Sequence, residues 1–171
     1  KRETRNPFHS NTNCCLLYLF AFCIINDERM KNKKINKKVV SYIIRKLKER
    51  NSFFGKVQVM KLMFLVDHLN LENDKIERKS LLGNDYYIYY LGPMSFEVLE
   101  VYDNLKEEEI EKLEPEGKIK EKVDEILKNY GNKDGFTLQK ICMEKLGIKE
   151  KGKYFGFKIS EIVKKCVISK K

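Results

Sequence analysis

The chain has 171 residues, 42% of them hydrophobic and 35% charged, which suits one domain of ordinary size whose core needs neither disulfides nor a structural metal. Its 35 basic and 25 acidic residues leave a net charge of +10. The excess is almost all lysine and is interleaved with acids, so it favours long-range attraction to an acidic partner over the bidentate arginine contacts that read bases. A mean hydropathy of −0.52 and the lack of an apolar run of about twenty residues leave no room for a membrane-spanning helix. Five cysteines without a CxxC pair argue against zinc and for small buried thiols in a reducing cytoplasm.

Residues 1–29 differ from the rest. A basic start (Lys1, Arg2, Arg5) leads to an apolar run from Cys14 to Ile25, and Met30 then stands directly before Lys31-Asn32-Lys33-Lys34. Three readings stay open for this leader: an over-extended reading frame or accessory segment, a helix packed on the domain, or a targeting segment without a small-x-small cleavage site. A single domain is expected over residues 30–171.

In that domain Asn36 is placed to cap a helix carrying Val39, Val40, Ile43, Ile44 and Leu47, which ends near Asn51-Ser52. Gly55 opens a second helix through Leu69. Its apolar residues from Val57 to Val66 run almost all the way round, the pattern of a helix buried at the centre. Lys61, Asp67 and His68 are its polar exceptions, and His68 reads as a helix-end residue. Residues 70–84 form a polar connection. Next comes Tyr86-Tyr87-Ile88-Tyr89-Tyr90-Leu91, whose aromatic and β-branched alternation marks a strand. Gly92-Pro93 is expected to stop it, and Ser95 to cap a helix through Leu105. Tyr90 is expected to turn inward beside Met94 and Val98, leaving Tyr87 and Tyr89 outward. The charge run from Lys106 to Glu116 reads as a solvated turn or helix extension. Helices bearing Ile119 to Tyr130, Leu138 to Leu146 and Ile162 to Val167 follow, the second capped by Thr137 and two of them closed by Gly131 and Gly147. The fold class is mainly α: about six helices around a buried central helix, with a small β-hairpin or wing-like strand element.

No phosphate loop, zinc-protease helix, nucleophile elbow or dinucleotide fingerprint is present. With only His9 and His68 as candidate bases, no nucleophile and base can be paired by sequence. The expectation is a protein that is not an enzyme, with no catalytic residue, no metal and no cofactor.

Two segments carry a family resemblance. Gln58-Val59-Met60-Lys61-Leu62-Met63-Phe64-Leu65-Val66-Asp67 resembles the L-x-K-L-x-Y-x-x-D helix of the Panacea domain family, the SocA-like antitoxins and phage-associated proteins. Tyr89-Tyr90-Leu91-Gly92-Pro93-Met94-Ser95-Phe96-Glu97-Val98 is similar to that family's aromatic-x-Y-G-P-hydrophobic-S-x-x-V signature, and also to the F-Y-Y-G-P-Y-S pattern of the related YwgA-like proteins. The likeness spans roughly residues 35–147. It departs at Leu91, where a Tyr is usual, and at Met94, where Val or Tyr is usual. The resemblance implies a small helical domain that neutralises a toxin by binding it, in some members while presenting it for proteolysis, without a cofactor. On this reading Tyr87, Tyr89, Met94 and Phe96 are the partner-binding residues. Lys61, Leu62, Phe64, Asp67, Tyr90, Gly92, Pro93, Ser95 and Val98 are the scaffold of the motif. The expected partner is a protein, a toxin or with it a protease system, and any nucleic-acid binding is weak and non-specific. A winged-helix-like transcriptional regulator is the alternative.

Overall fold

The computed structural model describes residues 12–50 and 54–168, with side chains over 27–50, 54–150 and 152–163. The chain divides into two compact units, residues 1–31 and residues 32–171. In the first, residues 12–31 are helical and belong to α1 (Thr12–Glu49); the side chains of the apolar run Cys14 to Ile25 lie outside the described residues.

In the second unit the rest of α1 leads to α2 (Lys56–His68), then to a short antiparallel pair, β1 (Leu69–Asn70) with β2 (Lys75–Ile76), and to a hairpin, β3 (Tyr87–Tyr89) with β4 (Gly92–Met94). Helices α3 (Phe96–Asp103), α4 (Glu107–Lys112), α5 (Gly117–Tyr130) and α6 (Gly135–Lys145) follow, and a 3-10 turn at Lys151–Tyr154 precedes α7 (Ile159–Ile168). The described residues are thus mainly helical with two small strand pairs, the expected class.

Helix α2 is the centre. Every residue from Gln58 to His68 is buried, because α3, α5, α6 and β4 all pack on it and its sequence offers apolar atoms on every side. Val39, Ile43 and Leu47 of α1 and Val123, Ile126 and Leu138 complete the core, all fully buried.

Local chemistry corrects three expectations. Asn36 does not begin a helix; it lies inside α1, nearly fully buried, because its amide is consumed by Asn84. Gly92-Pro93 does not end the sheet but starts the return strand, with Ile88 opposite Pro93; proline is tolerated there because the hairpin is only two strands wide and its missing N–H faces no ladder partner. Helix α6 is capped by Asp134 rather than Thr137: its carboxylate accepts from Phe136 N–H (2.9 Å) and Thr137 N–H (3.0 Å). By contrast Ser95 does cap α3, its hydroxyl accepting from Val98 N–H.

The acidic run gains a partner from the fold. Lys37 pairs with Glu109, Lys38 with Glu116, Arg45 with Glu114 and Lys48 with Glu107. These exposed pairs contribute little each, about 0–1 kcal/mol. They do pair four cations of α1 with the acidic run.

Candidate functional site

The two motif segments meet. Lys61, 2% exposed, donates from Nζ to the carbonyl of Pro93 at 2.6 Å, so the buried ammonium of α2 holds the return strand of the hairpin. From the other side Gln139 of α6 donates to the carbonyl of Tyr90 at 3.2 Å. Gly92 lies between them at φ +83°, and a Cβ there would come within 3.2 Å of Gln139 Cγ. Only glycine takes that backbone readily. Leu62, Phe64 and Val98 are fully buried below.

Asp67 is a second hub, at the far end of α2. One carboxylate oxygen accepts from Ser80 Oγ–H (2.6 Å) and Leu82 N–H (2.6 Å), the other from Asn84 Nδ2–H (2.8 Å). Asn84 exchanges two further hydrogen bonds with Asn36. A buried carboxylate with this many donors is satisfied, and it ties the 80–84 segment to α1 and α2. The polar connection is mostly exposed, but through Leu82 and Asn84 its last residues reach the interior.

The hairpin carries the aromatic residues outward. Tyr86 and Ile88 are buried, while Tyr87 and Tyr89 are half-buried. The Tyr87 ring lies 6.2 Å from that of Phe96, and the Tyr89 ring lies 5.8 Å from Phe96 and 5.2 Å from Phe155. Tyr90 is the main correction. Strand β3 ends at Tyr89, so alternation stops there; Tyr90 and Leu91 form the turn, and Tyr90 is 80% exposed rather than turned inward. Its ring lies 4.8 Å from that of Phe155, tilted by 52°. Phe96 is 51% exposed, and Met94 is half-buried against the core. Met94 also lines an apolar depression of about 290 Å³ with Met60, Tyr89 and Leu99.

Residues 154–158, which carry no expectation from the sequence, complete this surface. Ile88 N–H donates to Phe157 O (3.0 Å), Gly156 N–H to Ile88 O (2.8 Å) and Ile159 N–H to Tyr86 O (2.8 Å), which closes the free edge of β3. Phe155 and Phe157 remain 43% and 38% exposed. The aromatic density of Tyr154-Phe155-Gly156-Phe157 was the available signal.

The titratable groups nearby are set for structure. His68 ends α2, where its Nδ1 lies 2.9 Å from the Glu77 carbonyl and so carries the proton. Burial lowers its pKa, against the raising influence of Asp67. Burial pushes the Cys142 thiol up to about 12, and a thiol so placed is a poor nucleophile. Among the described residues no group of three His, Cys, Asp or Glu side chains is disposed to hold a metal ion, and no helix is long and apolar enough to cross a membrane. Cys14, Cys15, Cys23 and Cys166 lie outside the described side chains.

Comparison with known proteins bears on this arrangement. Neither the curated proteins nor the solved structures give a match. Residues 59–165, however, match the family described as antitoxin SocA-like, Panacea domain, a span that begins within α2 and includes both hubs, the hairpin and the aromatic edge. The chain belongs to the SocA-like antitoxin, Panacea domain family.

Proposed function

We propose that this protein is a non-catalytic, cytoplasmic protein-binding domain that neutralises a partner toxin, by direct binding or by presenting it for proteolysis. One observation supports the reading above the rest. The hairpin holds its backbone rigidly between Lys61 and Gln139 while Tyr90, Phe96 and Phe155 stay exposed around it. Exposed aromatic rings on a stiff support are costly in water and gain large contact area for few rotatable bonds when a partner covers them.

The winged-helix alternative is less well supported. Helix α2 is buried from Gln58 to His68 and presents no face to a groove, whereas a recognition helix needs exposed polar side chains. Much of the cationic face of α1 is paired with carboxylates. Affinity purification from native cells tests the proposal: a stoichiometric protein partner is expected. Recovery of nucleic acid alone, surviving a high-salt wash, would favour the regulator.

A further inference from the structure

The hairpin tip stands beside a second, larger depression. A groove of about 790 Å³ runs between Tyr90-Leu91 and α6, walled by Phe136, Met143 and Ile148. Tyr90, Phe136 and Leu91 are 80%, 68% and 42% exposed, so its rim is apolar and open.

Charge distinguishes the two sides of the hairpin. On the α3 side each carboxylate is already engaged: Glu97 with Ser95, Glu100 with Lys33 and Asp103 with Lys56. On the α6 side Lys140 and Lys149 line the groove, both exposed and without an ion pair among the described residues. Lys153 is likewise exposed and unpaired among those residues. Glu144 is the groove's carboxylate, and Glu150 follows Lys149. Two lysines against one carboxylate line the groove, so its charge is positive, and a partner surface that meets it favourably is negative.

We propose that the groove between the hairpin tip and α6 seats an acidic amphipathic segment of the partner protein, with large apolar side chains inserted between Leu91 and Phe136 and carboxylates facing Lys140 and Lys149. This rests on the partner-binding reading and specifies which face is used and what chemistry it takes. The apolar walls hold the anchors; the lysines select against basic segments.

The test uses two fluorescein-labelled peptides of about fourteen residues, ~21 Å long as helices. They carry the same Leu and Phe anchors, with glutamate at the remaining polar positions in one and lysine in the other. Anisotropy titration of the full chain should show the glutamate peptide binding at least tenfold more tightly. Lys140→Glu with Lys149→Glu should weaken it tenfold or more, and so should Leu91→Ser with Phe136→Ser. Lys112→Glu with Lys128→Glu, the same charge change at exposed lysines elsewhere, should alter it less than twofold. Equal losses from the two lysine pairs would reduce the effect to general attraction and overturn the proposal. Capture by phosphatidylserine vesicles in preference to the peptide would also overturn it, as would a dimer abolished by Phe136→Ser. Failure of the groove is distinguishable from failure of the wider reading. If the native partner is lost on substitution of Tyr90 and Phe96 but ignores Lys140 and Lys149, the interface stands and the groove assignment falls.

Discussion

Replacing Asp67 by alanine should strongly destabilise the domain without touching the aromatic surface. The carboxylate accepts from Ser80 Oγ–H, Leu82 N–H and Asn84 Nδ2–H, each within 2.8 Å. The Ser80 hydroxyl is half-buried and can turn to another acceptor, but Leu82 and Asn84 are 2% and 3% exposed and their donors would be left without one. Each orphaned buried donor costs about 1–3 kcal/mol, so the two together cost roughly 2–6 kcal/mol, with a central value near 4. That is a large share of a typical total of about 5–15 kcal/mol. With a urea slope of about 2 kcal/mol per molar, the midpoint should fall by about 2 M. Asp67→Asn keeps the shape and one acceptor but sets an amide N–H₂ against that of Asn84, and should fall between alanine and wild type. Urea unfolding followed by circular dichroism decides the matter. A midpoint shift below about 0.5 M, combined with lost partner binding, would show that Asp67 acts on the partner and that the scaffold argument is wrong.

Three further outcomes follow from the same structure. Gly92→Ala should destabilise by about 1–2 kcal/mol, since φ is +83° and a left-handed conformation costs a non-glycine residue about that much; Gly92→Val should cost more, and equal melting points for all three would refute a conformational need for glycine. His68 is buried with its pKa lowered, so below about pH 6.5 the unfolded chain binds a proton that the folded chain refuses, and stability should decline as pH falls from 7 towards 5. That decline should flatten in His68→Gln; an identical pH profile would remove His68 as its cause. Binding to two unrelated DNA duplexes should be weak, steeply salt-dependent and indifferent to sequence, and a preference above about a hundredfold at physiological salt would revive the regulator.

What could be read from sequence alone was what depends on local pattern. The all-round apolar run of α2 announces a central helix, and the hydroxyl of Ser95 ahead of Val98 announces a cap. Polar residues satisfied by distant partners are not legible locally. Asn36 looks like a helix start only while its reciprocal contact with Asn84 is unseen, and nothing in the polar connection of residues 70–84 marks Ser80, Leu82 and Asn84 as the donors that Asp67 gathers. A small hairpin is legible from the tyrosine alternation, but its return strand is not: Gly92-Pro93 break many strands, and only Lys61 and Gln139 show that here they begin one. Tyr90 is misplaced for the same reason, because its outward position depends on where the turn falls. Residues 154–158 pair with a strand some seventy positions away, and no local periodicity signals such a contact.

The central claim is that the exposed rings of the hairpin bind the partner. The most direct measurement is calorimetric titration of the co-purified partner into the wild type and into Tyr90→Ala with Phe96→Ala, with a melting curve for each. Both side chains are at least half exposed, so the melting temperature should stay within about 2 °C, at most about 1 kcal/mol for a domain of this size. Binding should weaken at least tenfold, about 1.4 kcal/mol. Unchanged affinity in a folded double variant would contradict the account.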